Sequence, residues 1–222
     1  MTFAQTASRI VLDRILLATD FTGASHKALE YALSLARYYD SKVVVAHVVP
    51  PMFAREDGEG WFSSTDLKKD AVGKMTALAD DLEDEEVSFQ TRVEEGSTRR
   101  HLVDLAERTK ANLIVMGTHG LLNVDKFMLG SMAEAVLRST SCPVLTVGPH
   151  VTRRPQYEIR FKNIILATEL PPTSDRAPRY AFSLAQEHQA HITLAHVLAP
   201  GDLSSTLERG RSTGYHEDGR RR

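Results

Sequence analysis

The sequence predicts an α/β protein with a doubly wound, mainly parallel five-stranded sheet, followed by a partial β-α-β repeat. Three observations lead to this fold class. Short apolar runs alternate with segments of helical periodicity between residues 14 and 147, which is the order of a parallel sheet with crossover helices. A stretch near the C-terminus repeats the first strand, helix and strand. The residues after that stretch lack the apolar periodicity that would continue the pattern.

The repeat is ungapped. Residues 15–51, the first copy, align with residues 164–200, the second copy, at a constant offset of 149, and 15 of the 37 positions are identical. Both copies contain the tripeptides LAT and AHV at matching places. An ungapped run of this length is rare by chance, so it indicates a tandem duplication.

Each element of the first copy is predicted by its local sequence. Residues 14–19 form a short apolar run typical of a buried strand. A helix comes next, for which Ser25 is the expected N-cap, with Ala28, Leu35 and other apolar residues at helical spacing along one side. Residues 42–49 are rich in valine and end before two prolines, as expected of a second buried strand.

The chain then continues the alternation. Residues 50–64 have loop composition, and the next helix is expected to end in the solvated acidic run DDLEDEE. The remaining elements are predicted from apolar periodicity: a helix over 67–82, a strand over 87–93, a helix around 102–109, a strand over 112–116, a helix from about 131 and a strand over 143–147.

These patterns predict four segments. They are a complete domain over 1–149, a linker over 150–162, a partial strand-helix-strand copy over 163–200 and a disordered tail over 201–222. A fragment with two strands and one helix is too small to bury a core by itself. We therefore expect the partial copy to pack on the complete domain or to be exchanged between chains.

Composition excludes several classes of protein. The chain is 42% hydrophobic and 25% charged with a formal net charge of −2, which indicates a soluble globular protein and argues against nucleic-acid binding as its main role. No stretch approaches the roughly 18 apolar residues of a membrane span, and the N-terminus lacks the basic region of a secretory signal. A single cysteine, Cys142, excludes an intrachain disulfide. We expect a cytoplasmic protein.

The segment GTHGLLNVDKFMLGS, residues 117–131, joins the fourth strand to the next helix. Its glycines allow positive φ and close backbone approach, and the helix N-terminus after it adds N–H donors for an anion. Asp20 comes after the first strand, so both features belong to the carboxyl edge of the sheet, where open α/β sheets bind ligands. The patterns GxxxxGK[ST] and GxGxxG are absent, which argues against a Walker-type NTPase and a typical dinucleotide dehydrogenase.

A purely structural explanation fits the same residues. Ser131 and Glu134 match a capping box. Gly117 and Gly120 suit a turn, and Asp20 suits a cap for the turn after its strand. On local chemistry alone, phosphate binding and turn formation have about equal weight.

The pattern Gly117-x-x-Gly120, nine residues, then Gly130-Ser131 resembles the ATP-binding signature of the universal stress protein family. The segments LIVM before it, CPVLTV after it, ILLATD in the first strand and AHV in the second are also similar to that family and occur in the same order. The resemblance spans residues 10–148, and residues 163–200 resemble the family's N-terminal half. It implies the universal-stress-protein fold, which is similar to that of the adenine nucleotide α-hydrolases.

The resemblance implies one ATP site per chain, with Mg²⁺ as a companion. Two groups of residues would contact the nucleotide: Ala18, Thr19, Asp20 and Val48 at the adenine and ribose, and Met116, Gly117, Gly120, Gly130, Ser131 and Met132 around the phosphates. His119 lies in the same loop and could hydrogen-bond a phosphate, although a simple exposed histidine has at least equal weight. The second copy has Glu169 in place of Asp20 and lacks the glycine pattern, so it should not bind ATP by itself.

Other polar residues suggest no catalytic role. Asp125 and Lys126 in the glycine loop are weak candidates for contacts with Mg²⁺ and phosphate. His47 and His196 are expected to be neutral histidines hydrogen-bonded at strand ends rather than metal ligands. Cys142 is expected to be buried near the last strand. No catalytic residue or protein metal site is predicted, since no convincing general base for hydrolysis is present.

The sequence therefore predicts an ATP-binding stress or signalling module with at most weak ATPase activity. By resemblance, it should form a homodimer through the strand from Val144 to Val147; the protein that reads its nucleotide state is unidentified. The first alternative is a nucleotide-independent dimeric interaction protein that keeps the glycine pattern as architecture. A less favoured alternative is an adenylyl-transferring enzyme of a related fold, whose HIGH-type and SGGxDS-type motifs are absent.

Overall fold

The computed structural model describes residues 9–51, 53–54, 61–62, 64–118, 129–148, 151, 159–168 and 176–197. The chain divides into two units. The larger unit is Val11–Ile159, and the smaller unit combines residues 9–10 with the described residues of Arg160–Arg222.

The larger unit alternates strands and helices. Its elements in chain order are β1 (Arg14–Ala18), α1 (Gly23–Tyr39), β2 (Lys42–Val49), β3 (Phe53–Ala54), β4 (Trp61–Phe62), α2 (Ser64–Leu82), β5 (Phe89–Glu95), α3 (Thr98–Thr109), β6 (Leu113–Gly117), α4 (Ser131–Leu137) and β7 (Val144–Val147). Five strands form one sheet in the order β5-β2-β1-β6-β7, and every neighbouring pair is parallel. The chain begins at the centre and winds outward to both sides, which confirms the predicted fold class.

The central strand β1 is buried on both faces of the sheet. Ile15, Leu16 and Leu17 have no exposed surface. Leu16 lies beside Val44 of β2 on one side and Ile114 of β6 on the other. A parallel sheet carries helices on both faces, so its central strand must be apolar at every position.

One face of this sheet packs against α3 and α4. The cluster on this face combines strand residues with helix residues: Leu16, Ala18, Val44, Ala46, Val48, Ile114 and Met116 from the strands, and Leu102, Leu105, Ala106, Ala133 and Val136 from the helices. Strand residues two apart share a face. The helices α3 and α4 therefore exclude water from the side of β1 that carries Leu16 and Ala18.

Helix α1 begins at a different residue from the one that the sequence indicates. Its N-cap is Thr22, whose side chain accepts a hydrogen bond from the backbone N–H of Ser25. Ser25 lies inside the first turn, and its hydroxyl donates to the carbonyl of Thr22 at 3.0 Å. The prediction of Ser25 as the N-cap is wrong. Thr22 and Ser25 both carry a hydroxyl that can cap a helix, and the turn before the helix places Thr22 at the cap position.

Two further predictions need correction. Strand β5 begins and ends two residues later than the predicted 87–93. It lies at the sheet edge, where only part of each side chain is covered, so its apolar pattern is weak. Within the segment expected to be loop, Phe53 pairs with Phe62 and Ala54 with Trp61 in a short antiparallel ladder.

The smaller unit is the strand-helix-strand arrangement that the repeat predicts. It contains β8 (Asn163–Ala167), α5 (Arg176–His188) and β9 (His191–Ala195), with the two strands parallel. Near the start of the described chain, Ile10 donates its N–H to the hydroxyl of Ser183 on α5 at 2.9 Å. The tail predicted over 201–222 lies outside the described residues. None of the helices in the described ranges combines the length and apolar character needed to cross a membrane.

The smaller unit exposes apolar side chains whose equivalents in the larger unit are buried. Ile165 is 72% exposed, whereas Leu16, at the equivalent position of the repeat, is 0% exposed. Val197 is 89% exposed and its equivalent Val48 is 5% exposed. In the larger unit this face is covered by α3 and α4. The described part of the smaller unit contains no counterpart of those two helices, which explains the exposure of Ile165 and Val197.

This difference predicts that substitution by alanine lowers the free energy of unfolding unequally at two equivalent positions of the repeat. Leu16→Ala should lower the free energy of unfolding by about 2–5 kcal/mol, because it leaves a cavity in a closed core. Ile165→Ala should change it by less than about 0.5 kcal/mol, because a largely exposed side chain loses little burial. Urea denaturation of both variants measures the difference. A comparable loss for Ile165→Ala would show that its face is covered in solution.

Candidate functional site

The carboxyl ends of three adjacent strands bring predicted site residues to one edge of the sheet. Ala18, the last residue of β1, pairs with Ala46 of β2 on one side and with Met116 of β6 on the other. Val48 lies near the end of β2, and Gly117 ends β6. These four residues, two predicted for the nucleoside and two for the phosphates, therefore lie on neighbouring strands at the edge where open α/β sheets bind ligands.

Thr19 extends the hydrogen bonding of β1 by one residue. Its N–H donates to the carbonyl of Ala46 at 2.9 Å. Its own carbonyl is 2.8 Å from Nδ1 of His47, and since a carbonyl only accepts, Nδ1 is the protonated nitrogen. The Thr19 hydroxyl is 3.1 Å from the Ser25 hydroxyl and accepts from the N–H of Phe21 at 3.1 Å. Thr19 is thus held through both backbone and side chain.

Asp20 shapes the turn that leads into α1. Its Oδ1 accepts from the N–H of Thr22 at 3.0 Å and from the Thr22 hydroxyl at 2.6 Å. This is the turn-capping role that the sequence offers as an alternative to ligand binding. Both hydrogen bonds of the Asp20 carboxylate in the described chain use Oδ1, so the turn does not use Oδ2.

Phe21 adopts an unusual conformation within this turn. Its φ is +61°, in the left-handed region that bulky residues rarely occupy and that costs on the order of 1 kcal/mol. Its ring lies 4.6 Å from the ring of His47, with an angle of 35° between the planes. His47 therefore contacts the turn through a hydrogen bond to Thr19 and through a ring contact with Phe21.

Gly117 is explained by close packing within the protein. A Cβ at this position would lie 3.0 Å from the carbonyl carbon of Ala24 and 3.1 Å from the Ala24 Cβ. Ala24 belongs to the first turn of α1, so the glycine lets the end of β6 approach that helix. Gly117 is not among the described residues with positive φ. The sequence offers two reasons for a glycine here, a positive φ and a close approach of the backbone. Only close approach applies, and the element approached is α1.

Helix α4 begins at Ser131, as the sequence predicts, but its N-cap is one residue earlier than the expected one. Its N-cap is Gly130 rather than Ser131, and the N–H of Gly130 donates to the carbonyl of Thr118 at 2.7 Å. The Glu134 carboxylate accepts from Nε of Arg138 at 2.9 Å. The capping-box explanation of Ser131 and Glu134 is therefore wrong, since Ser131 lies inside the helix and Glu134 pairs with the next turn.

The remaining predicted residues fall into two groups. Met132 lies in the first turn of α4 and is 41% exposed. His119, Gly120, Asp125 and Lys126 lie outside the described residues, so their roles stay predictions.

The two copies share the strand-end histidine. His196 Nδ1 is 2.8 Å from the carbonyl of Thr168, and the N–H of Thr168 donates to Ala195 at 3.0 Å. This repeats the His47 arrangement and confirms that both histidines are hydrogen-bonded at strand ends. Within the described residues, no three His, Cys, Asp or Glu side chains are grouped so that they could hold a metal ion.

Cys142 is half-buried, and its thiol donates to the carbonyl of Ala111 at 3.3 Å. Burial raises the pKa of this thiol from 9.0 to about 11, and a backbone hydrogen bond at Ile114 opposes the shift. The thiol is therefore protonated at neutral pH and is a poor nucleophile.

Sequence reasoning missed Thr22, Phe21 and Ala24. For Thr22 a local signal exists, because an aspartate with a threonine two residues later is typical of a turn closed by the carboxylate. The conformation of Phe21 and the packing of Ala24 on Gly117 depend on contacts between distant elements, which no local pattern reveals.

Comparison with known proteins places this geometry in a family. The model of the universal stress protein family matches residues 12–148 and 160–221. Over 140 residues the chain is 34% identical to universal stress protein MJ0531 of Methanocaldococcus jannaschii, and the alignment covers 60% of this chain and 81% of that relative.

Solved structures show the same fold. The structure of MJ0577 from Methanocaldococcus jannaschii has a TM-score of 0.55 and 26% identity, covering 64% of this chain and 100% of that one. A universal stress protein from Archaeoglobus fulgidus has a TM-score of 0.62 and 19% identity, covering 91% of this chain and 74% of that one. At this identity the second likeness concerns the fold alone, and it extends over most of the chain.

The packing at Gly117 predicts a difference between two glycines at the ends of adjacent strands. Gly117→Ala should lower the free energy of unfolding by about 1–3 kcal/mol, because the added methyl group presses on the backbone of Ala24. Gly148→Ala should be neutral or slightly stabilising, since no atom lies within 4 Å of the added Cβ. Thermal denaturation of both variants tests this. Equal stability of the two would contradict the proposed reason for Gly117.

Proposed function

The chain belongs to the universal stress protein family, and on this premise we propose that its larger unit binds ATP, with Mg²⁺, at the carboxyl edge of the sheet. The protein then acts as a nucleotide-responsive stress or signalling module in the cytoplasm, with at most weak ATPase activity. One observation carries the proposal. The Asp20 turn and the Gly130 helix start come after β1 and β6, which are neighbours in the sheet.

The nucleoside end of the proposed site is the turn after β1. A ribose hydroxyl donates hydrogen bonds, and Asp20 Oδ2 is the acceptor that the turn does not use. Ala18 and Val48 stay predicted neighbours of the adenine at the ends of β1 and β2, and their side chains are buried in the core cluster. Thr19 lies between Ala18 and Asp20, and its backbone is hydrogen-bonded to Ala46 and His47 of β2.

The phosphate end of the proposed site is the start of α4. The N–H of Gly130 is already bonded to Thr118, so Gly130 supplies space rather than a donor. The N–H groups of Ser131 and Met132, in the first turn, have no acceptor within their own helix and suit an anion. Met116, Gly117, His119 and Gly120 stay predicted neighbours of the phosphates.

The donor set fits a magnesium nucleotide. Mg²⁺ usually takes most of its oxygen ligands from phosphates and water, with one or two protein oxygens. The described edge has backbone N–H groups at the start of α4 for phosphate, so Mg²⁺ would be held mainly by phosphate oxygens and water. Bound Mg²⁺ would neutralise charge on the phosphates.

We propose the domain organisation that the repeat indicates: a complete domain over 1–149, a linker over 150–162, a partial copy over 163–200 and a tail over 201–222. The partial copy has Glu169 in place of Asp20 and no glycine pattern. We therefore expect one nucleotide per chain, bound by the larger unit.

We also propose a homodimer that forms through β7. This strand lies at the sheet edge, and the carbonyls of Pro143 and Val147 accept hydrogen bonds from the β6 side. Backbone groups of alternate strand residues point to opposite sides, so Val144 and Thr146 direct theirs to the open edge. An open edge of this kind is a template for pairing with another strand.

A second function is supported by two observations. Asp20 Oδ1 closes a turn, and Gly117 makes room for Ala24, so both residues have roles without a ligand. These roles favour, as the alternative, a nucleotide-independent dimeric interaction protein of the same fold.

Isothermal titration with Mg-ATP distinguishes the two functions. The wild-type chain should bind one ATP, and Asp20→Asn should weaken binding about 10- to 100-fold, because it replaces Oδ2 by an amide donor. The asparagine keeps Oδ1 and so keeps the turn to Thr22. Gly130→Val should abolish binding by filling the space near the phosphates.

The matched control is Asp40→Asn, which changes an aspartate at the C-terminal end of α1 and should bind like the wild type. Absence of binding by the folded wild-type chain would exclude the nucleotide proposal and favour the interaction protein. A phosphate-release assay on the same samples measures turnover, which we expect to be very slow.

The dimer is tested at the N–H that faces the open edge. Thr146→Pro removes that N–H and should shift the protein to monomers, while the fold survives because proline is tolerated on edge strands. Thr146→Val keeps the N–H and should remain dimeric. Sedimentation velocity measures both variants. A dimeric Thr146→Pro variant, or a monomeric wild type, would contradict pairing through β7.

A further inference from the structure

We infer that His47 is a positioning residue of the nucleotide site. It holds the turn that presents Asp20, although it is not among the residues expected to contact ATP. This inference rests on the proposed function for its consequence in binding. The ordering of the turn by His47 can also be measured without nucleotide.

The first contact of His47 fixes the backbone just beyond β1. The strand ends at Ala18, and the next carbonyl, that of Thr19, accepts from His47 Nδ1 at 2.8 Å. The N–H of Thr19 is bonded to Ala46, the residue before His47. Two successive residues of β2 therefore hold both backbone groups of Thr19, one through a side chain.

The second contact of His47 supports the far side of the turn. Phe21 has a left-handed backbone, a conformation that persists in bulky residues only when surrounding contacts enforce it. Its ring lies 4.6 Å from the His47 ring, and its N–H is bonded to the Thr19 hydroxyl. Asp20 lies between two residues that His47 contacts, so the direction of its carboxylate depends on His47.

The second copy has the hydrogen bond of the histidine but lacks the aromatic residue needed for the ring contact. His196 makes the same hydrogen bond to Thr168, also at 2.8 Å, so this bond belongs to the fold. The residue equivalent to Phe21 is Leu170, which has no aromatic ring, and the residue equivalent to Asp20 is Glu169. Only the first copy has the combination of aspartate, phenylalanine and histidine, and this makes His196 a control within the same chain.

Four variants test the inference in the full chain. His47→Ala removes both contacts. His47→Asn places an amide N–H near the position of Nδ1, and thus keeps the hydrogen bond to Thr19 without the ring. Phe21→Leu introduces the residue that the second copy has at this position and removes only the ring contact. His196→Ala removes the equivalent hydrogen bond from the smaller unit. Each is measured by hydrogen exchange of the unliganded protein and by titration with Mg-ATP.

His47→Ala should accelerate exchange of the amides in residues 19–25 at least tenfold and weaken Mg-ATP binding about tenfold. His47→Asn should recover most of both losses, which a merely bulky side chain would not do. Phe21→Leu should weaken binding by a smaller factor. His196→Ala should leave exchange in residues 19–25 and the affinity for Mg-ATP unchanged.

The inference is overturned if the folded His47→Ala variant binds Mg-ATP within twofold of a wild type that does bind. It is also overturned if His47→Asn is no better than His47→Ala, or if His196→Ala has an equal effect. A wild type that binds no nucleotide would instead remove the proposed function. Hydrogen exchange would then still decide whether His47 orders the turn. If His47→Ala does not fold, His47→Asn and Phe21→Leu are compared with the wild type instead.

Discussion

The burial of β1 on both faces is the constraint on which the rest of the structure depends. Its residues from Ile15 to Leu17 are completely enclosed, and this requires a strand on each side and helices above and below. The chain meets the requirement by beginning at the centre of the sheet and adding strands outward. The same order places the ends of β1, β2 and β6 side by side, where the candidate site lies.

The repeat shows the result when this constraint is met only in part. The two copies agree in sequence, strand register and the histidine bond at the strand end. Their units differ in the number of strands, because the described smaller unit has two where the larger unit has five in its main sheet. Ile165 is exposed and Leu16 is buried because the described smaller unit has no counterpart of α3 and α4, rather than through any difference in side-chain chemistry. Backbone similarity alone does not predict a second candidate site, since the aspartate and the glycine pattern occur once in the sequence.

The sequence predicts elements well where an apolar run has clear limits. Strand β2 lies at Lys42–Val49 as predicted, because eight residues rich in valine stand directly before proline. Strand β5 is displaced by two residues because an edge strand alternates weakly. Helix α4 begins at Ser131 as predicted. Both N-cap residues near the site are misplaced, since several residues within a few positions can act as caps.

Contacts outside the two helices decide these cases, one of them local and the others between distant elements. The Asp20 carboxylate selects Thr22 as the cap of α1, and the Thr118 carbonyl holds Gly130 at the start of α4. Gly117 is explained by Ala24, which is far away in the sequence. The residue types of the candidate site were thus predictable from the family-like motifs. Their division into turn-forming and packing roles required the fold.

A crystal structure of the chain with Mg²⁺ and a non-hydrolysable ATP analogue tests the central claim most directly. We expect one nucleotide per chain, with a ribose hydroxyl on Asp20 Oδ2 and phosphates at the N–H groups of Ser131 and Met132. We also expect no nucleotide on β8 and β9. A nucleotide bound at another surface, or none at saturating concentration, would contradict this claim.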